Sequence, residues 1–150
     1  MSKARTLDCE FCAIARGDDP SVETTLRPGE LITAFVAPPL AFARRSLFLK
    51  IRDRQSYEFA LASAAVALDL EGEQVREARI ALGGVATTPW RSREAEAALR
   101  GRKLNEANAS AAADAAFASA VTHGDNDFKP ELGRRTLVRA LLQARSLEAA

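Results

Sequence analysis

The chain has 150 residues, enough for one hydrophobic core, and its 21 Lys and Arg nearly cancel its 20 Asp and Glu. That balance leaves no long-range field for nucleic acid or an anionic membrane surface. No apolar run reaches the roughly 18 to 20 residues that span a bilayer, and the N-terminus lacks the apolar segment of a secretory leader, so a cytoplasmic home is expected.

Residues 1 to 28 read as a weakly structured polar segment, with turns at Gly17-Asp18-Asp19-Pro20 and Pro28-Gly29, and residues 29 to 150 as the folded domain. Cys9 and Cys12 are too few for a disulfide framework and are expected as thiols. Leu31 to Val36 is a short apolar run closed by Pro38-Pro39, which predicts a strand. Ser46 to Arg52 predicts a second, with Leu47, Leu49 and Ile51 on one face and Phe48 and Lys50 on the other.

From Ala60 to Leu70 two signals conflict. The run is Ala-rich, which favours a helix. Yet Leu70-Glu71-Gly72-Glu73 is a turn, and Val75 to Leu82 alternates, setting Ala78, Ile80 and Leu82 against Glu77 and Arg79. A strand there needs a partner, and the nearest is the preceding run, which carries Ala64, Val66, Leu68 and Leu70 on one face. A β-hairpin is therefore preferred to a helix. Gly83-Gly84 reads as a structural bend and Trp90 as a core anchor. A helix capped by Ser92 and stopped by Gly101 follows, then an Ala-rich helix from Asn105 to about Ala120. After the breaker His123 to Asp127, a last helix starts near Pro130 with Leu137, Val138, Leu141 and Leu142 as its apolar stripe. Arg134, Arg135 and Arg139 read as a solvated helix face. Strands first and helices later predict an α+β two-layer sandwich: an antiparallel sheet of three to four strands followed by about three helices.

Four ordered segments carry a family resemblance: ETTLRPGELITA (Glu23 to Ala34), LKIRDRQSYEFALAS (Leu49 to Ser63), REARIALGGVATTPWR (Arg76 to Arg91) and NDFKPELGRRTLVRAL (Asn126 to Leu141). From Gly17 onward the chain resembles the C-terminal part of the FAD-binding, or medium, subunit of molybdenum hydroxylases, a group that includes xanthine dehydrogenase, aldehyde oxidoreductase and carbon monoxide dehydrogenase. The resemblance implies a domain that packs against flavin-holding lobes and lines one side of the isoalloxazine pocket. It places Lys50 and Arg54 in the basic segment facing the flavin ring, and Ser56 and Tyr57 in the adjoining loop on the electron-acceptor side. A cation near the ring's pyrimidine end would stabilise reduced-flavin charge, and an aromatic side chain can cover the ring. The glycine-rich loops with which the family grips the FAD pyrophosphate are absent from this sequence, so the FAD site is partial. The implied partners are those missing lobes, a molybdenum-cofactor subunit and an iron–sulfur subunit, which together relay electrons to an acceptor. Alone, the chain is expected to have no turnover and at best weak FAD affinity. The alternative is a non-catalytic subunit-interaction module, or a truncated fragment without flavin binding.

Near the start, CEFCAIARGDDPS resembles the opening of the histidine-triad nucleotide hydrolases. That chemistry needs a string of alternating histidines, and this chain has only His123. Cys9, Cys12 and His123 also fall short of the four ligands of a structural zinc site, so no metal is expected.

Overall fold

A computed structural model describes residues 26–35, 39, 44–86 and 89–147. The chain divides into two units, residues 1–38 and 39–150, each taken by itself below. In the first unit Pro28-Gly29 forms the expected turn, with the Glu30 N–H donating to the Arg27 carbonyl at 3.0 Å and Gly29 at φ +81°. The strand expected at Leu31 to Val36 is not found over 31–35, and Val36 lies outside the described residues. Leu31 and Phe35 are more than four-fifths exposed, so the run lacks the half-buried surface on which a strand depends. Cys9, Cys12 and most of the segment expected to be weakly structured also lie outside the described residues.

The second unit is the α+β two-layer sandwich. Strand β1 (Ser46–Ile51) pairs antiparallel with β2 (Ala62–Glu71), β2 with β3 (Gln74–Gly83), and β3 with the short β4 (Trp90–Arg91), in sheet order 1-2-3-4. The hairpin thus prevails over the helix that alanine propensity favours in β2. Its loop is Gly72-Glu73, with Gly72 at φ +59°, a backbone state that suits glycine at the first position of a two-residue turn. A β-bulge follows, the register shifting between Asp69 and Leu70. It lets Val75 and Ala78 both face the core although they are an odd number of residues apart.

The buried face of the sheet presents Ala64, Val66, Leu68, Ile80 and Leu82, with Leu47 and Leu49 packed at its margin. Helices α1 (Arg93–Leu99), α2 (Glu106–Ala116) and α3 (Lys129–Arg145) cover it. Leu68, Ile80, Leu99, Leu104, Leu137 and Leu141 are almost wholly buried, each worth about 1.5–3 kcal/mol of transfer free energy. Helix α2 buries only alanines, 109, 112, 113 and 116, at helical spacing, which allows close approach of its neighbours. Gly133 on α3 goes further: a Cβ there would stand 2.3 Å from Cζ of Phe117, so the aromatic ring occupies the space a side chain would need. Leu137 and Leu141 are buried as expected, while Val138 and Leu142 are only partly covered and line a groove beside α2.

The helix starts follow the sequence signals, while α2 ends at Ala116, short of the expected end near Ala120, with Phe117 as its C-cap. Ser92 caps α1, its hydroxyl accepting from the Ala95 N–H, and Asn105 caps α2 through the Asn108 N–H. Gly101, at φ +73°, follows α1, and Pro130 sits in the first turn of α3. At the outer edge of β3 the two-residue β4 leaves the ladder short. There the Ser92 N–H donates to the Ile80 carbonyl, and the Glu96 carboxylate accepts from the Ile80 N–H at 3.0 Å, completing the strand edge with a side chain. Trp90 is half-buried rather than a fully enclosed anchor, because it sits in an edge strand and packs edge-on against Phe117 with ring centroids 5.6 Å apart.

Candidate functional site

The segment between β1 and β2, residues 52–61, is a projecting loop whose base is closed by the Leu61 N–H donating to the Ile51 carbonyl at 2.9 Å. Lys50 lies on the sheet face opposite the core, in register with Ser63, which in turn faces Gly83. Its ammonium donates to the Glu58 carbonyl at 2.5 Å. The Glu58 carboxylate accepts from the Arg54 N–H at 2.8 Å, and the Arg54 guanidinium donates to the Tyr57 carbonyl at 2.5 Å. Glu58 therefore ties Lys50 and Arg54 into one small network.

This network holds Tyr57 in the left-handed region at φ +49°, a conformation costing of order 1–3 kcal/mol for a residue with a Cβ. The ring it presents is 96% exposed, and Phe59 two residues on is 94% exposed. Ser56 is exposed on the same loop. Arg54, Ser56 and Tyr57 thus share the loop and Lys50 stands at the end of β1 beside it, two of the four as cations and one as an uncovered aromatic face. None lines either of two grooves in the unit, one of about 620 Å³ between α2 and α3 and one of about 400 Å³ over Phe48, Ala65, Ala67 and Ala81 on the open sheet face. The four residues stand on a prominence, and a pocket around them needs a second surface.

Two features at the loop's base were not singled out by sequence reasoning as belonging to the site. Gly84, at φ +72°, comes so close that a Cβ would be 2.7 Å from the Ala60 carbonyl oxygen. Lys129, the first residue of α3, reaches across to donate to the Leu61 carbonyl at 2.8 Å and the Gly84 carbonyl at 3.1 Å. One signal for it was in the sequence. A cation at a helix N-terminus opposes the macrodipole, so a lysine there asks for carbonyl partners elsewhere. Among the described residues no group of three His, Cys, Asp or Glu could hold a metal, and no helix is long and apolar enough to cross a membrane.

Residues 48–148 match the family described as CO dehydrogenase flavoprotein C-terminal domain, and the chain belongs to that family. It is 42% identical over 130 residues to the aldehyde oxidoreductase FAD-binding subunit PaoB of Escherichia coli K12, covering 87% of this chain and 37% of that protein. It is 32% identical over 127 residues to the carbon monoxide dehydrogenase medium chain of Afipia carboxidovorans, covering 85% and 43%. A solved structure of reconstituted CO dehydrogenase from Oligotropha carboxidovorans superimposes with a TM-score of 0.72 at 28% identity, over 83% of this chain and 45% of that one. The chain therefore spans less than half the length of these relatives.

Proposed function

We propose that this chain acts as the C-terminal domain of a molybdenum hydroxylase flavoprotein subunit, presenting its 52–61 loop to the isoalloxazine edge of an FAD held mainly by lobes outside the chain. The observation that carries this reading is the gathering of Arg54 and the uncovered Tyr57 ring on one loop that Lys50 tethers from the end of β1. The donor set fits a flavin edge: two cations for an electron-rich ring and an aromatic face to lie beside it. It does not fit the pyrophosphate, for which the sequence offers no glycine-rich cradle.

Bound flavin supplies the electron relay between iron–sulfur clusters and an acceptor, with the molybdenum cofactor and those clusters on partner subunits. The chain's own part is binding and orientation. Lys50 and Arg54 supply fixed positive charge, the Glu58 carbonyl holding the first and the Tyr57 carbonyl the second, and Tyr57 and Phe59 exclude water from whatever covers them.

Recombination tests the reading. The purified chain is mixed with FAD, with and without separately produced flavin-binding lobes of a relative, and flavin visible absorbance and fluorescence are followed. Binding that needs both components and weakens at least about tenfold in Lys50→Ala or Arg54→Ala, the loss of a charge-assisted contact, is expected. Lobes that bind the chain without any change in the flavin signal would identify an interaction module instead.

A further inference from the structure

We propose that Lys129 is the positioning residue of the 52–61 loop, an ammonium clamp that fixes the loop's C-terminal root against the Gly83-Gly84 corner. Three chain segments distant in sequence meet at its Nζ: the end of the loop at Leu61, the corner at Gly84 and the start of α3. Leu61 has both backbone groups committed, its N–H to Ile51 and its carbonyl to Lys129. It is the point at which the loop re-enters the sheet. Gly84 lies against the Ala60 and Leu61 carbonyls with no room for a side chain, so carbonyl oxygens of the loop and the corner converge on one spot. Their negative dipole ends repel each other, and a cation donating to both turns that repulsion into attraction. The Phe128 ring, with its centroid 5.8 Å from Nζ, adds a further favourable partner.

The Lys50 network fixes the loop at Glu58 and the clamp fixes it at Leu61, so Phe59 is carried between two tethers and the Tyr57 ring stands directly before the first. That the loop is held toward flavin rests on the function proposed above; that Lys129 holds it does not.

The experiment separates the two. The full chain, Lys129→Met and Lys129→Arg are exposed to limiting trypsin under native conditions, and cleavage after Arg52 and Arg54 is timed by mass spectrometry. Position 129 precedes Pro130 and is not itself a cleavage site, so the variants add and remove none. Lys129→Met is expected to speed cleavage in the loop about tenfold through more frequent local opening, with cleavage after Arg135 and Arg139 unchanged and Lys129→Arg restoring the parent rate. Loop cleavage within twofold of the parent overturns the proposal, and so does a uniform acceleration at every site, which signals general loss of stability. Should Lys129→Met not fold, amide exchange of Leu61 in Lys129→Gln replaces it, and unchanged protection again overturns the clamp. A parallel recombination with FAD and the flavin-binding lobes decides the flavin reading alone. Where the parent chain yields a flavin signal, its circular dichroism should change in Lys129→Met and return in Lys129→Arg.

Discussion

The Arg91 guanidinium grips the Glu96 carboxylate with two nitrogens, Nε to Oε1 at 2.9 Å and Nη2 to Oε2 at 3.0 Å. The same carboxylate accepts the Ile80 N–H, so one buried acid joins β3, β4 and α1. Burial alone would raise its pKa. The Arg91 hydrogen bonds, the Ile80 N–H and the charges of Arg91 and Arg79 together outweigh that and hold it below the ordinary carboxylate value.

A carboxyl whose pKa is depressed by folding contributes stability above its unfolded pKa, near 4.5 here, and loses it as pH falls through the folded value. Urea unfolding of the parent and Glu96→Gln at a series of pH values should therefore give a stability gap that is constant near neutrality and shrinks below about pH 4.5. A gap that stays constant into acid would show that the charge on Glu96 contributes nothing.

Glu96→Ala should be worse than Glu96→Gln at neutral pH. The amide can still accept from Ile80, whereas alanine leaves a buried N–H without a partner, at about 1–3 kcal/mol. Equal losses in the two variants would mean that water reaches the Ile80 amide.

Gly133→Ala offers a test of opposite sign to helix propensity. Alanine in a helix interior is normally favoured over glycine by about 1 kcal/mol. Here the new methyl would meet the Phe117 ring, and overpacking of about 1–3 kcal/mol should dominate. Denaturant unfolding should show net destabilisation, relieved when Phe117→Leu is combined with it.

At the corner, Gly84→Ala should cost more than Gly83→Ala. Position 84 has positive φ and a backbone carbonyl in the way, of order 1–3 kcal/mol for the backbone alone. At position 83 the obstacle is the Ser63 hydroxyl, 2.6 Å from the built Cβ, and Ser63→Ala should rescue that variant but not Gly84→Ala.

Trp90→Ala should cost about 2 kcal/mol, below the full price of a buried aromatic, since the indole is only partly buried against the core and meets Phe117 edge-on. A larger loss, read from thermal or urea unfolding, would show that β4 as a whole depends on the indole.

Much of this was legible from the residues. Alternation in Val75 to Leu82 made β3 plain, and β3 in turn forced β2 out of the helix that its alanines favour. Ser92, Asn105 and Pro130 marked helix starts by local chemistry that tertiary packing did not override. What escaped was long-range. The brief strand at Trp90–Arg91 has no period to read in two residues, and it exists because β3 offers an open edge. Leu31 to Val36 looked like a strand from composition alone, and over its described residues 31–35 it lacks the pairing that makes one. In the candidate site, Lys50, Arg54, Ser56 and Tyr57 came from family resemblance, while their spacing alone could not separate them from a charged strand end. Lys129 is linked to Leu61 and Gly84 across 68 and 45 residues, and Gly133 to Phe117, by contacts that no local pattern encodes.

The notch at Gly133 has a mechanical corollary. With an aromatic ring seated where a side chain would be, α3 can neither slide along its axis nor roll without driving backbone into Phe117. Lys129 lies four residues earlier, one turn away on the same side of the helix, so this tooth-and-gap indexing sets how far its ammonium can reach. The point from which that ammonium meets the Leu61 and Gly84 carbonyls is thereby calibrated within the helical layer, by a glycine.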